Sequence, residues 1–228
     1  MSLRNDLQAQ AERSAAAATP EVAAQRSAAK SAVAELKRSS TVVTVGDIAP
    51  DFALPDATGT QVRLSELVTA GPVVASFYRG GWCPYCNLEL RALQAALPAL
   101  TAAGGTLVAI SPDAPDTSLS TAEKADLKFA VLSDTSATTI TAYGLNFTID
   151  SVTRAVLSEP EAQLARANGA ETEVLPIPAT YVIDAARKVT YAFVDPDHTR
   201  RAEPTDIVAA VAALTGRATA STESKSHS

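Results

Sequence analysis

Residues 80–90 read GGWCPYCNLEL, and they place both cysteines of this 228-residue chain three positions apart, after an apolar run and before a helix-like stretch. A thiol attacks as its thiolate, and a helix N-terminus stabilises that anion through unpaired backbone N–H groups and the positive end of the helix dipole. The sequence supplies this setting. The apolar run GPVVASFYR (71–79) ends at Arg79, two glycines turn the chain, and Pro84 sits between the cysteines, where its missing N–H costs little at a helix start. Residues three apart on a helical turn lie about 5–6 Å from each other, within the reach of a disulfide, so Cys83 and Cys86 can open and close a bond. Taken alone, the pair suits four uses: a metal knuckle, a structural staple, disulfide exchange or peroxide reduction.

Composition narrows these. A structural zinc site takes about four ligands, and beyond the cysteines only His198, His227 and Met1 offer nitrogen or sulfur, so no metal and no other cofactor is expected. The first thirty residues mix both charge signs with alanine and lack the apolar stretch of a secretory signal, which predicts a cytoplasmic location. A permanent disulfide is uncommon in that reducing compartment, and two cysteines this close read as a reactive pair. With 46% hydrophobic residues the chain can bury a sizeable core. Its longest apolar runs fall far short of the roughly 20 residues that span a bilayer, so no membrane partner is expected. A net charge of −6 with no basic face argues against nucleic acid.

Outward from the cysteines, the pattern is that of strands alternating with helices. Residues 1–40 are rich in helix formers and predict an N-terminal helical extension of two helices joined near residue 19, with Pro20 in the first turn of the second. Its apolar stripe is mostly alanine and predicts packing through small contacts, or a homodimer interface. A domain follows over 41–217. Residues 45–68 predict two strands around the turn DATGT and a short helix. The buried strand before Arg79 leads into a long helix that Pro98 is expected to kink or shorten. TLVAISPD is a strand, STAEKADL a helix opened by a serine or threonine cap, AVLSD a strand, and SATTITAYG a helix closed by Gly144. Residues 145–175 predict a polar helical excursion. ATYVIDAARKVTYAFVDPD gives two strands, EPTDIVAAVAALTG a terminal helix, and 218–228 a disordered tail. The fold class is α/β, a central mixed sheet flanked by helices on both faces.

Five stretches, VGDIAPDFALPDATGTQVRLSEL, VVASFYRGGWCPYCNLELRALQ, LVAISPD, VLSDTSATTITAYGL and IPATYVIDAARKVTYAFVDPD, resemble successive landmarks of the peroxiredoxin family. This is the alkyl hydroperoxide reductase and thiol-specific antioxidant branch of the thioredoxin-like fold, and the chain is similar to the subgroup that carries Cys-x-x-Cys. The family pattern runs proline, three residues, threonine or serine, two residues, peroxidatic cysteine, then glutamate three positions on. Laid on FYRGGWCPYCNLE, it puts Arg79 at the proline, Cys83 at the threonine, Cys86 at the peroxidatic cysteine and Glu89 at the glutamate. The family's later arginine, which orients the peroxide, is absent from its place, where Pro178 stands. A proline there is the thioredoxin feature and predicts a cis bond after Ile177.

The resemblance implies a thiol-dependent peroxidase acting on hydrogen peroxide or organic hydroperoxides. Cys86 would attack, Cys83 would resolve, and a thioredoxin-like protein or low-molecular thiol would restore the dithiol. Arg79, Trp82, Pro178 and Glu89 are the expected substrate-binding residues. The alternative is thioredoxin-type disulfide exchange with Cys83 as the nucleophile. Asp113 and Asp116, like Asp195 and Asp197, read as turn formers, and His198 as a surface loop residue.

Overall fold

In a computed structural model the described residues are 2–39, 41–124, 126–148 and 174–216. The chain opens with helices α1 (Leu3–Ala16) and α2 (Pro20–Ser39). Strands β1 (Ala53–Pro55) and β2 (Gln61–Arg63) pair antiparallel, and the short helix α3 (Leu64–Leu67) follows. Next come β3 (Val73–Phe77), α4 (Pro84–Ala102), β4 (Thr106–Ser111), α5 (Pro115–Lys124), β5 (Ala130–Ser133) and α6 (Thr138–Ala142). Strands β6 (Asn146–Thr148) and β7 (Val174–Pro176) pair with each other, and β8 (Ala179–Ile183), β9 (Val189–Val194) and α7 (Pro204–Thr215) complete the chain.

Five strands form the central sheet in the order β5-β4-β3-β8-β9. The first three run parallel, and β8 and β9 run antiparallel to their neighbours. Successive side chains of a strand point to opposite faces, and β3 divides its residues accordingly. Val73, Ala75 and Phe77 pack with Phe52, Leu64 and Ile140 on one face. Val74 and Tyr78 pack with Leu90 and Leu93 of α4 and Ile207 and Val211 of α7 on the other. All five β3 residues are buried, as a strand covered on both faces requires. The sheet thus carries the β3–α4 turn, and both cysteines, at the centre of the molecule.

The N-terminal helices are joined to this core by more than alanine contacts. Leu3 and Leu7 are buried in the same cluster as Leu90 and Leu93, each contributing about 1.5–3 kcal/mol by removal from water. The Arg26 guanidinium donates to the Ser14 carbonyl at 3.0 Å, closing α2 on α1, and Lys30 pairs with Asp197 at 3.0 Å.

Four sequence expectations change. Helix α4 runs unbroken through Pro98, because that residue lies on the exposed side while Leu93 and Leu100 anchor both halves to the core. Helix α5 begins at Pro115 rather than at a serine or threonine, proline being suited to a first turn. The Ile177–Pro178 bond is trans, with no cis bond among the described residues. The trans form, the lower-energy state of an X–Pro bond, lets the chain pass from β7 into β8 in two residues while the Ile177 N–H donates to the Leu145 carbonyl at 2.7 Å. Only the ends of the expected 145–175 excursion are described, and they form strands. Its middle and the 218–228 tail lie outside the described residues.

Candidate active site

The chemistry of the β3–α4 turn begins with its glycines. Gly80 has φ +141°, and a Cβ there would meet the Trp82 ring and the Asp113 carboxylate within 3 Å, so only glycine turns the chain here without strain. The Gly81 N–H donates to Asp113 Oδ2 at 2.9 Å, and the Asn87 amide donates to the Gly81 carbonyl at 3.0 Å. These two bonds tie the turn to the end of β4 and the first turn of α4. Cys83 is thereby set as the N-cap of α4, with extended backbone and Pro84 next to it, and Cys86 follows one turn on.

Both cysteines are free thiols, 1% and 0% exposed, yet their surroundings differ. Cys83 lines a cavity of about 400 Å³ together with Arg79, Trp82, Tyr85, Pro178 and His198. The Cys86 thiol beside it, the charges of Arg79 and Arg201, and the Cys86 backbone N–H hold the Cys83 thiol down to about 6, against the opposing effect of burial. Cys86 lies behind it, away from the cavity. Burial pushes the Cys86 thiol well above its ordinary value, and the neighbouring Cys83 pushes the same way. The Arg201 guanidinium opposes both, with Nη2 at 3.3 Å from Cys86 Sγ.

Arg201 is 7% exposed and Glu89 1%. Arg201 Nε donates to Glu89 Oε2, and Nη1 donates to the His198 and Arg200 carbonyls. Ser76 and Thr180 hydroxyls approach Glu89 Oε1 at 3.5 and 3.4 Å. Burial still pushes the Glu89 carboxyl up to about 7, against the pull of Arg201. Burial likewise pushes Asp113 up to about 7, one of its oxygens having no hydrogen-bond partner among the described residues.

Of the six expected site residues, Arg79, Trp82, Cys83 and Pro178 meet at the cavity, while Cys86 and Glu89 stand behind it. The guanidinium of Arg79 lies 4.9 Å from the Trp82 ring centroid. Glu89 is therefore a buried ion-pair partner of Arg201, not a cavity-lining group. Three contributors were not expected. Arg201 puts a guanidinium beside the thiols from the loop before α7 rather than from the head of β8, and its only sequence signal is the Arg200–Arg201 pair ahead of that helix. Asp113 does form a turn but also anchors Gly81. His198 is half-buried in its loop: it lines the cavity, with its ring edge-on to Tyr85 at 5.5 Å. Burial and the charges of Arg79 and Arg201 drive its pKa well below the usual value, so it is neutral at pH 7.

A family model described as the AhpC/TSA family matches residues 45–192. A putative peroxiredoxin of Mycobacterium tuberculosis is 35% identical over 105 residues, 46% of this chain and 66% of the relative. Peroxiredoxin Bcp of Escherichia coli is 38% identical over 89 residues, 39% of this chain and 56% of the relative. The chain thus spans less than two thirds of the length of these curated relatives. Among solved structures, peroxidoxin BcpB from Mycobacterium tuberculosis superposes with a TM-score of 0.59 at 26% identity, over 75% of this chain and 98% of that one. A putative protein disulfide isomerase from Bacteroides thetaiotaomicron, at 18% identity and a TM-score of 0.55, shares the fold alone. The fold is the thioredoxin-like one expected from the sequence.

Proposed function

Because the chain belongs to the AhpC/TSA family, we propose that it is a thiol-dependent peroxidase cycling Cys83 and Cys86 between dithiol and disulfide. The observation that carries this reading is the placement of Cys83 on a cavity at the N-cap of α4, with a second thiol one helical turn behind it. The family alignment gives the attack to Cys86, but the cavity and the N-cap favour Cys83, and the reading adopts that order. The Cys83 thiolate attacks the outer oxygen of a hydroperoxide. The O–O bond breaks, the alcohol or water leaves with a proton, and Cys83 becomes a sulfenic acid. Cys86 then attacks Cys83 Sγ, expelling the hydroxyl as water and leaving the disulfide. A thiol reductant supplies two electrons to restore the pair. Arg79 and Arg201 hold positive charge beside the sulfurs through each anionic stage, and Trp82 and Pro178 wall the cavity where the peroxide is received. The reading places the cycle in the cytoplasm, where thiol pools keep such a pair reduced. Among the described residues no helix is long and apolar enough to cross a membrane.

Consumption of hydrogen peroxide and of an alkyl hydroperoxide, with a dithiol reductant present, tests this. Catalytic turnover is expected for the wild type. Stoichiometric oxidation without turnover sinks the reading. Disulfide exchange is the second reading, favoured by Pro178 beside Cys83 in the cavity. It predicts reduction of a model disulfide in place of peroxide consumption.

A further inference from the structure

We propose that the cavity over Cys83 is a binding site for a low-molecular-weight thiol carrying a carboxylate, and that such a thiol is the reductant of the disulfide. The proposal rests on the reading that Cys83 and Cys86 cycle through a disulfide. Helices α1 and α2, which lie outside the part matching the family model, roof the cavity with Ala11, Ala15, Ala18, Ala23 and Val33. Beneath that roof the two sulfurs are 1% and 0% exposed. Attack on a disulfide needs the incoming sulfur in line with the S–S bond. The side behind Cys86 is filled by Arg201 and Glu89, so the approach is through the cavity to Cys83. A space of about 400 Å³ is of small-molecule size, and the loop of a protein reductant would have to displace both helices.

The lining also selects charge. In a chain of net charge −6, the described residues that line this cavity include no aspartate or glutamate, while Arg26, Lys30 and Arg79 are among them. Lys30 is neutralised by Asp197 at 3.0 Å. Arg26 donates to the Ser14 carbonyl, and Arg79 is 6% exposed with an Nε that has no hydrogen-bond partner among the described residues. Neither has a carboxylate partner among the described residues. A buried guanidinium with an unsatisfied N–H is costly unless an acceptor or anion joins it. Arg79 serves the Cys83 thiolate in the reduced state, and when the disulfide forms that charge is gone, leaving the guanidinium to a ligand carboxylate.

The exchange balances as follows. The incoming thiolate attacks Cys83 Sγ, the S–S bond breaks, and Cys86 leaves as a thiolate beside Arg201 and takes a proton. A second thiolate attacks the ligand sulfur of the mixed disulfide, and Cys83, held down to about 6, leaves as thiolate. Two thiols become one small disulfide, and the protein gains two electrons.

The test starts from protein oxidised by diamide, so that it reads reduction whether or not peroxide is the physiological oxidant. Regain of thiols is followed by thiol titration and by the fluorescence of Trp82, the chain's one tryptophan. The reductants are 3-mercaptopropionate, 2-mercaptoethanol, cysteamine and reduced thioredoxin. Small-thiol rates are expressed per thiolate and divided by the rate on a soluble aromatic disulfide, which removes intrinsic nucleophilicity. At low salt, 3-mercaptopropionate is expected to exceed cysteamine by about tenfold, converging toward equality at about 0.5 M salt. Arg26→Glu is expected to lower the ratio of those two rates. Equal rates for the anionic and cationic thiols overturn the proposal. So does a preference indifferent to both salt and Arg26→Glu, or reduced thioredoxin outrunning every small thiol in second-order rate. Failure of peroxide consumption with this pattern intact removes the peroxidase reading alone.

Discussion

The two cysteines are one helical turn apart, yet they belong to different halves of the molecule. Cys83 caps α4 and looks into a cavity floored by Trp82 and Pro178 and roofed by the N-terminal helices. Cys86 looks back into the core, where Arg201, Glu89, Ser76 and Thr180 form a closed polar cluster between α4, the sheet and the loop before α7. The same functional group is held toward the thiolate in one place and toward the protonated thiol in the other. Burial opposes the anion at both sulfurs; at Cys83 the hydrogen bond from Cys86 and the charges of Arg79 and Arg201 outweigh it, whereas at Cys86 the neighbouring Cys83 adds to it.

Removing each sulfur in turn tests this contrast most severely. Cys83→Ser is expected to lower peroxide turnover to background, by about 10⁴-fold or more as for loss of other nucleophiles. It should leave no oxidation step in a single-turnover experiment with stoichiometric peroxide. Cys86→Ser should also stop turnover but keep one rapid oxidation per protein, detected as a sulfenic acid on Cys83. The reverse pattern, with the surviving step in Cys83→Ser, would return the attacking role to Cys86.

The polar half can be tested through stability. Arg201→Met removes the partner of a buried carboxylate, and breaking such a pair costs about 3–5 kcal/mol because the remaining charge is left unpaired. Urea unfolding at pH 8, where Glu89 is mostly ionised, reads that loss. The double variant Arg201→Met with Glu89→Leu should recover most of it. A single variant as stable as wild type would show that Glu89 is protonated and the pair is not ionic.

The fold was legible from local patterns because β3, α4, β4 and β5 each carry their own signal: continuous apolar strands, a helix stripe, glycines at the turns. The order proposed for Cys83 and Cys86 draws on tertiary structure: alignment to the family pattern ranks Cys86 first, while the cavity that Cys83 lines is bordered by α1 and α2, whose alanine stripe carries no hint of what they cover. Arg201 was hidden for a related reason. It lies 115 residues from Cys86, and nothing in the run HTRRAEP distinguishes a buried guanidinium from its solvated neighbour Arg200 until the chain is folded. In the sequence Asp113 and His198 are loop residues, and in the structure they remain so; the packing of those loops against the β3–α4 turn is a tertiary fact.

Asp113 gives a pH test of that burial. Its folded pKa, raised to about 7 from the ordinary 3.8, means that the native state holds a proton which the unfolded chain releases between those values. The stabilising effect of that protonation is full below about pH 4 and is lost as pH rises through about 7. Wild-type stability should therefore fall between pH 5 and 8, with Glu89, also raised to about 7, falling in the same direction. Asp113→Asn cannot ionise and keeps an acceptor for the Gly81 N–H. Its unfolding free energy should drop less over that interval, by on the order of 2 kcal/mol. Parallel curves for the two proteins would mean that Asp113 is not desolvated as the buried loop implies.

The smallest expected effect separates the two guanidinium groups. Arg79 lies on the cavity side and acts on Cys83 through its charge, as does Arg201 from behind. The rate of alkylation by iodoacetamide follows the thiolate, so for the wild type it should rise with pH through a midpoint near 6 and level off above it. Arg79→Met removes one cation beside the thiolate, and an opposite charge at close range is worth about one pH unit or more. The midpoint should move up by about that amount while urea stability changes little, because among the described residues Arg79 has no buried carboxylate that its loss would strand. An unmoved midpoint would leave the Cys86 thiol, Arg201 and the helix N-terminus to hold the Cys83 anion. It would also free Arg79 from the thiolate in the reduced protein, making its guanidinium available to a ligand carboxylate in both redox states.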